Sequence, residues 1–217
     1  MIARPSLIGL LGGSFNPAHG AHRRISLFAL DALGLDEVWW LVSPGNVLKS
    51  AEGMAPIGAR VSSARKLARC APIRVTAIEE QMGTRFTLDT LRKLKGRYPK
   101  KHFVWLMGSD NLAQFHRWRG WRSIAREMPI AVIARPGYDR AAMASPAMAW
   151  LRRWRRWHGL ELNGAKRSAP ALTILRFDPD ERSATEIRAS DPHWQHRFSG
   201  QHQRDMLTNR VIGPDGL

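Results

Sequence analysis

Residues 10–22, LLGGSFNPAHGAH, combine an apolar run, a glycine pair, an Asn-Pro turn and two histidines three residues apart. The glycines at 12–13 lack side chains, so a ligand can approach the backbone closely there. A helical pattern begins near Gly20, and the first turn of a helix directs free N–H groups and the positive end of its dipole at an anion. His19 and His22 would lie one turn apart at this helix start. We therefore expect a strand, a tight loop and a helix that face one ligand.

Apolar segments that predict strands covered on both faces recur along the chain. These segments are 6–11, 38–42, 73–78, 103–107, 130–134 and 172–177. Helical patterns follow at 21–33, 57–70, 87–97, 111–115 and 140–157, with Gly34, Gly96 and Gly159 placed to end helices. The alternation predicts an α/β fold with a doubly wound, mostly parallel sheet in a single domain. In such sheets ligands bind beyond the carboxyl ends of the strands, which is where residues 12–16 would lie.

Three interpretations of His19 and His22 remain open. Histidines at this spacing could bind zinc, but no acidic or thiol partner stands near them in the sequence. They could also serve only capping and packing. Binding of a phosphate explains the glycines, the helix start and the histidines together, and we favour it. The segment is not a dinucleotide fingerprint, because GGSFNP lacks the G-x-G-x-x-G spacing.

Composition narrows the class of protein. The chain has 217 residues, and 34 Lys and Arg against 18 Asp and Glu give a formal net charge of +16, which favours anionic partners. No apolar stretch reaches the roughly 18 residues of a membrane helix. The N-terminal apolar run is shorter than the core of a signal peptide, and a buried first strand explains it better. The single cysteine, Cys70, argues against a disulfide framework and a cysteine-rich zinc site, so we expect a cytoplasmic location without a membrane.

Residues 148–159, MAWLRRWRRWHG, alternate tryptophans with arginines. Trp150, Trp154 and Trp157 would share one face of a continuous helix. Such a surface could bind nucleic acid by stacking and phosphate contacts. It could equally be an amphipathic helix whose tryptophans pack on the sheet, and we favour this second interpretation.

Two segments about 160 residues apart resemble the signatures of the HxGH nucleotidyltransferase superfamily. GGSFNPAHGAH resembles G-G-[ST]-F-[DN]-P-x-H-x-G-H, and SATEIR at 183–188 resembles [ST]-x-T-x-[IL]-R. Further segments are similar to those of the bacterial nicotinate-nucleotide adenylyltransferases: RFTLDTL at 85–91, GSDNL at 108–112 followed by Trp118, and RPG at 135–137. The resemblance covers roughly residues 6 to 190.

This resemblance implies a Rossmann-like nucleotidyltransferase fold over residues 1–193, with a tail, 194–217, of unassigned role. It implies adenylyl transfer from ATP to nicotinate mononucleotide, which gives nicotinate adenine dinucleotide and pyrophosphate in NAD biosynthesis. The implied partners are these two substrates and no nucleic acid, in a monomer or homodimer. Mg²⁺ would be carried by the substrate phosphates, with no metal site in the protein itself.

The resemblance also implies the roles of individual residues. The expected catalytic residues are His19, His22, Lys49 and Arg188. The residues expected to bind ATP are Gly12, Gly13, Ser14, Phe15, His19, His22, Gly108, Ser183, Thr185, Ile187 and Arg188. The residues expected to bind the acceptor are Asn16, Lys49, Arg85, Phe86, Thr87, Asp110, Trp118 and Arg135.

Within this group the acceptor is expected to be the acid rather than the amide. Thr87 is predicted to cap a helix whose first N–H groups donate to the carboxylate, with Arg85 as a counter-charge. Phe86 and Trp118 could sandwich the pyridine ring.

The chain departs from the family pattern at several positions. Ala21 replaces the usual Gly before the second histidine, Leu48 and Lys49 stand where a His-Lys or His-Arg pair is usual, and Phe86 replaces a Tyr. The tail lacks the usual final helix pattern. Two alternatives therefore stay open: another adenylyltransferase with a nicotinamide mononucleotide or phosphopantetheine acceptor, and a basic nucleic-acid-binding protein. His19 argues against the phosphopantetheine group, which usually has Thr there.

Overall fold

The computed structural model describes residues 5–45, 53–134, 139–155, 169–177, 183–198, 200 and 202–213. The strands in these ranges are β1 (Ser6–Gly13), β2 (Glu37–Val42), β3 (Ile73–Thr76), β4 (Lys101–Gly108), β5 (Ile130–Ile133), β6 (Leu172–Leu175), β7 (Gln203–Arg204) and β8 (Val211–Ile212). The helices are α1 (Gly20–Leu33), α2 (Ile57–Ala68), α3 (Ile78–Gln81), α4 (Thr87–Arg97), α5 (Ser109–Gln114), α6 (Trp121–Glu127), α7 (Asp139–Met143), α8 (Pro146–Leu151) and α9 (Ala184–Ser190). Short 3₁₀ helices lie at Phe115–Arg117, Arg152–Trp154 and Trp194–Phe198.

The main sheet has the strand order β3-β2-β1-β4-β5-β6. The pairs β1–β4, β2–β3, β4–β5 and β5–β6 are parallel, with Leu11 opposite Leu106 in the first of them. The order of the strands reverses between β1 and β4, as in doubly wound sheets. The predicted α/β fold with a doubly wound parallel sheet is therefore confirmed.

Burial of consecutive side chains explains why these strands are continuously apolar. Trp39 and Trp40 in β2 are 1% and 0% exposed. Because successive side chains of a strand point to opposite faces, both faces of β2 are covered.

Among the described helices, none combines the length and the apolar character that crossing a bilayer requires.

The fold consists of two compact units. The first takes in Met1–Leu11, Phe28–Glu37 and Phe86–Pro179, and the second takes in Gly12–Leu27, Val38–Arg85 and Asp180–Leu217. In the first unit β4 lies between β1 and β5, with Phe115 and Ile124 fully buried. In the second unit β2 pairs with β3, and α2 is buried along most of its length.

The described residues of the tail pack within the second unit. Trp194 is 2% exposed, and β7 and β8 form a small antiparallel hairpin. Asp205, also 2% exposed, accepts hydrogen bonds from Thr76 Oγ1 and from the backbone N–H of Ala77, both at 2.8 Å. Since β3 is an edge strand, the hairpin covers part of an otherwise open edge. The division of the chain at residue 193 stays a prediction.

The expected continuous helix over 140–157 is wrong. The chain forms α7, breaks at Ser145 and restarts as α8, which ends at Leu151. Ser145 Oγ accepts a hydrogen bond from the N–H of Met148 and caps α8, with Pro146 in its first turn. A proline ring clashes with a preceding helical turn and offers no N–H, so it begins a helix rather than continuing one. Trp157 and Gly159 lie outside the described residues.

Other element ends differ by a few residues from those expected. Gly34 follows α1 with φ of 60°, which confirms it as a helix end. Gly96 lies inside α4, so its prediction as a helix end is wrong. β3 stops at Thr76 and Ile78 begins α3, because the apolar run that predicted a longer strand serves both elements. Helix α6 was not predicted.

Candidate active site

The loop beyond β1 turns sharply at Phe15. Phe15 has φ of 49°, an uncommon conformation for a bulky residue, and its side chain is 2% exposed. Its ring stacks on Trp40 with the centroids 5.1 Å apart. A Cβ added to Gly13 would lie 3.4 Å from this ring, so Gly13 packs directly against it. The Phe15 side chain is thus part of the core, and only its backbone can contact a ligand.

His19 and His22 lie together at the start of α1. Their ring centroids are 4.0 Å apart, and the backbone N–H of His19 donates to Nδ1 of His22 at 3.2 Å. Because Nδ1 accepts this bond, a neutral His22 carries its proton on Nε2. His22 therefore offers an N–H donor on the side of the ring away from its own helix turn. His19 is only 7% exposed.

The ring of His22 is held by aromatic contacts and by the anchoring of α1. Its centroid lies 4.8 Å from that of Phe15 and 6.0 Å from that of Trp40. Ser26 Oγ donates to the carbonyl oxygen of His22 and accepts from the indole N–H of Trp40, both at 2.8 Å. The orientation of this imidazole is therefore determined by β2 as well as by its own helix.

Asn16 forms hydrogen bonds with three residues that are distant in sequence. Its Nδ2 donates to the carbonyl oxygen of Gly53 at 2.9 Å, and its Oδ1 accepts from the N–H of Ala55 at 3.1 Å. Its own carbonyl oxygen accepts a bond of 2.7 Å from Nη1 of Arg188. The Asn16 side chain thus holds the segment before α2. The sequence predicted it only at the acceptor and did not predict this contact.

The second signature segment forms the start of α9. Ser183 Oγ accepts from the N–H of Glu186 at 3.2 Å, and the Glu186 carboxylate accepts from the N–H of Ser183 at 3.0 Å, which makes a capping box. Ser183 is therefore the N-cap of α9, and Thr185 lies in the first turn of that helix. Arg188 lies one turn further on, where its Nη2 donates to Thr185 Oγ1 at 3.3 Å. Ile187 is half-buried in the same helix.

Arg60 in α2 is a buried cation that sequence reasoning missed. It is 2% exposed and donates to the carbonyl oxygens of Ala55, Ser14 and Ser43 at 2.8, 2.8 and 2.6 Å. Burial lowers the pKa of the Arg60 guanidinium to about 10, and the negative charge of Glu80 opposes this shift. The group therefore stays charged at neutral pH. Its position between the apolar residues Ala59 and Val61 did not mark it as buried, because adjacent residues of a helix lie on different faces.

The first unit holds the residues expected to follow β4. Gly108 ends β4 and is the N-cap of α5, and Asp110 lies in the first turn of that helix. Trp118 packs edge-on against Trp105 and Phe115, with centroid distances of 6.3 and 5.4 Å. Both Asp110 and Trp118 are half-buried.

The start of α4 differs from the expectation. Phe86 is its N-cap and Thr87 its first helical residue, without a capping bond from a side chain, so the prediction of Thr87 as N-cap is wrong. The extended backbone of Phe86 places the boundary one residue earlier. The guanidinium of Arg119 lies 4.5 Å from the centre of the Phe86 ring. Arg85 is exposed in the second unit.

Comparison with known proteins identifies the family. Residues 10–190 match the family model described as cytidylyltransferase-like. A relative from Erythrobacter litoralis (strain HTCC2594), named "Probable nicotinate-nucleotide adenylyltransferase", is 67% identical over 204 residues, which are 94% of this chain and 93% of the relative. The chain belongs to the nicotinate-nucleotide adenylyltransferase family. A relative of the same name from Bradyrhizobium sp. (strain ORS 278) is 47% identical over 188 residues, or 87% of this chain and 98% of the relative.

Solved structures show the same fold. Nicotinic acid mononucleotide adenylyltransferase from Plasmodium falciparum, complexed with NaAD, has a TM-score of 0.64 at 17% identity, covering 85% of this chain and 83% of that one. The same enzyme complexed with APC has a TM-score of 0.61 at 16% identity, with the same coverage. At 16–17% identity these structures support only the fold of the chain. Its site residues are argued from its own geometry.

Two residues expected at this adenylyltransferase's site, Lys49 and Arg135, lie outside the described residues. Leu48, one of the departures from the family pattern, lies outside them as well. Within the ranges that the structure describes, no group of three or more His, Cys, Asp and Glu side chains is arranged to hold a metal ion.

The two described tryptophans of the Arg/Trp segment, Trp150 and Trp154, pack against other aromatic rings. The ring centroids of Trp121 and Trp150 are 5.3 Å apart, and those of Trp150 and Trp154 are 4.3 Å apart. The guanidinium of Arg153 lies 5.6 Å from the first and 4.9 Å from the second of this latter pair. Ring faces that could stack on bases are therefore engaged within the protein, which favours the packing interpretation.

Proposed function

We propose that this chain transfers the adenylyl group of ATP to nicotinate mononucleotide, forming nicotinate adenine dinucleotide and releasing pyrophosphate in NAD biosynthesis. The observation that carries the proposal is the hydrogen bond from Arg188 to the Asn16 carbonyl, which brings the two nucleotidyltransferase signatures together in the second unit. The names of the relatives and of the solved neighbours support the acid form of the acceptor.

The reaction needs positioning and charge stabilisation more than proton transfer. A phosphate oxygen of the acceptor attacks the α-phosphorus of ATP, and the bond from that phosphorus to the oxygen bridging to the β-phosphorus breaks. The nucleophile is already an anion, so no base and no covalent intermediate are required. The protein has to bring two polyanions together and stabilise the charge on the transferring and leaving oxygens.

The second unit offers donors for this task. The Nε2–H of His22 donates to a phosphate oxygen of ATP, and His19 lies beside it at the start of α1. Arg188 adds a charged fork for the leaving pyrophosphate. In this proposal ATP is contacted by the end of β1, the loop after it and the start of α9, through Gly12, Gly13, Ser14, Phe15, Ser183, Thr185 and Ile187.

The remaining assignments are part of the same proposal. In the first unit Gly108 contacts ATP, and Phe86, Thr87, Asp110, Trp118 and Arg135 bind the acceptor. In the second unit Asn16, Lys49 and Arg85 bind the acceptor, with Lys49 also neutralising pyrophosphate.

Nucleotidyltransferases use a divalent metal, and we assign Mg²⁺ to this role. Mg²⁺ is commonly bound through substrate phosphates and water with few protein ligands, which fits the donor set of the described residues. When bound, it supplies positive charge that offsets the charge of the phosphates. ATP is a cytoplasmic substrate, so the proposal includes a cytoplasmic location for the enzyme.

Release of pyrophosphate from ATP tests the function with separate acceptors: nicotinate mononucleotide, nicotinamide mononucleotide and phosphopantetheine. We expect release and formation of the dinucleotide with nicotinate mononucleotide, and neither with phosphopantetheine. Preferential turnover of another acceptor would reassign the substrate. Absence of release with every acceptor, together with salt-dependent binding of duplex DNA, would replace the proposal with a nucleic-acid-binding function.

A further inference from the structure

We propose that Arg60 is a positioning residue, whose guanidinium holds the loop after β1 in the conformation that binds the triphosphate of ATP. This inference rests on the proposed function, since that function places ATP at this loop. Arg60 contacts no substrate in the proposal and acts only through the backbone.

Arg60 is the shared donor of three separate chain segments. Its hydrogen bonds reach Ser14 beyond β1, Ser43 and Pro44 beyond β2, and Ala55 before α2. A guanidinium presents its N–H groups in a rigid planar fork, so one side chain determines the relative positions of all these carbonyls. Because the side chain is 2% exposed, water cannot readily replace a missing donor.

The bond to Ser14 also sets the direction of the next N–H group. The peptide between Ser14 and Phe15 is trans, and in a trans peptide the C=O and N–H groups point in opposite directions. With the Ser14 carbonyl directed at Arg60, the N–H of Phe15 is directed away from it. A phosphate-binding loop depends on such backbone N–H directions, and Arg60 determines this one.

A second route leads from Arg60 to Arg188. The Ala55 carbonyl accepts from Arg60, the Ala55 N–H donates to the Asn16 side chain, and the Asn16 carbonyl accepts from Arg188. Displacement of Ala55 would therefore also displace Asn16 and with it Arg188, which the proposed function assigns to pyrophosphate. Two independent hydrogen-bonded connections join Arg60 to groups that the proposed function assigns to ATP.

Arg65 provides a matched control on the same helix. Its Nη1 donates to the carbonyl oxygen of Arg204 at 2.6 Å, in the C-terminal hairpin. It is thus also an arginine of α2 that binds a main-chain carbonyl, but it bonds to the hairpin rather than to the loops after β1 and β2.

The test compares R60K, R60M and R65K with the wild-type enzyme. Binding of MgATP is measured by calorimetry, the KM for ATP and kcat by pyrophosphate release, and stability by thermal unfolding. R60K keeps a positive charge but loses the fork. R60M fills a similar volume without a buried charge, and it is the second variant if R60K does not fold. We expect both variants to raise the Kd for MgATP about tenfold or more, with a larger change in the KM for ATP than in kcat. In R65K both constants should stay within about twofold of wild type.

Wild-type affinity for ATP in folded R60K or R60M, with only the Tm lowered, would overturn the proposal and leave Arg60 a structural residue. Normal ATP binding in R60K alone would also overturn it, because a charge without the fork would then suffice. Calorimetry needs no acceptor, so the Arg60 inference is tested even if the wild-type enzyme turns over none of the acceptors. That last result would refute the proposed function alone.

Discussion

Nη1 of Arg188 donates a 2.7 Å hydrogen bond to the carbonyl oxygen of Asn16, a residue 172 positions earlier in the chain. The same guanidinium uses Nη2 to reach Thr185 Oγ1 in its own helix. A single side chain therefore connects the loop after β1 with the start of α9, through two separate nitrogens.

Replacing Arg188 by Lys tests this geometry. Lys keeps the positive charge but has one compact ammonium group, which cannot reproduce two bonds from separate nitrogens. We expect R188K to lose about tenfold or more in kcat/KM although the substitution preserves charge. R197K is the control, because Arg197 is an exposed arginine that pairs with Asp191 near the C-terminus. Equal activity of R188K and wild type would mean that Arg188 contributes only a general positive field.

His22 allows a test of which ring nitrogen acts. Since Nδ1 accepts from the His19 N–H, the donor that we propose for phosphate is Nε2. Gln places an amide N–H near the position of Nε2, whereas Asn places its amide near Nδ1. We expect H22A and H22N to lose on the order of 10²–10³ in kcat, the usual loss for one transition-state donor, and H22Q to lose less.

H19A is tested beside H22A, and H102A is the control. The proposal gives H19A a loss similar to that of H22A, whereas His102 is exposed on β4 and its replacement should leave kcat unchanged. Near-normal kcat in both H19A and H22A would contradict the assignment of these histidines to the phosphates.

The ratio of kcat/KM for nicotinate and nicotinamide mononucleotides tests acceptor specificity. The first turn of α4 offers N–H groups, and the guanidinium of Arg119 lies 4.5 Å from the ring of Phe86. Donors and a positive charge favour a carboxylate, while the amide NH₂ would face other donors. We expect the acid to be favoured by at least about 10². A ratio near one would refute the acceptor assignment and leave adenylyl transfer standing.

A charge variant shows whether Arg119 contributes to that ratio. R119Q should lower the preference for the acid, whereas R117Q, which changes an exposed arginine two positions earlier, should not. The same fall in both variants would indicate a general effect of net charge.

Asp205 is expected to stabilise the fold without affecting the chemistry. Its carboxylate accepts from Thr76 Oγ1 and from the backbone N–H groups of Ala77, Leu207 and Thr208. In D205N an amide NH₂ would face buried donors, which should lower the free energy of unfolding by about 1–3 kcal/mol. Denaturant unfolding measures this change, with D31N on the exposed face of α1 as the control. A marked rise in the KM for ATP of folded D205N would show that the hairpin also shapes the site.

Much of the site could be predicted because its signals are local. The order of apolar runs predicted the sheet, and the glycine pair with His19 and His22 predicted a strand, a loop and a helix start. The structure has all three, although β1 continues through both glycines and the loop begins at Ser14. Ser183 as the cap of α9 follows from the same kind of signal, since a capping box spans only four residues. Helix α8 shows the limit of periodicity, because Ser145 and Pro146 end one helix and begin another within an unbroken apolar pattern.

The sequence by itself determined the doubly wound fold and the two signature segments, because both depend on the spacing of residues close together in the chain. Only the tertiary structure decided that Arg60 is the shared donor of Ser14, Ser43 and Ala55, and that Asp205 holds the end of β3. Composition and periodicity do not distinguish these two charges from ordinary surface residues. Their partners are mostly main-chain groups, and most of them are distant in sequence. These groups become acceptors or donors at these positions only when the chain has folded and water has been excluded.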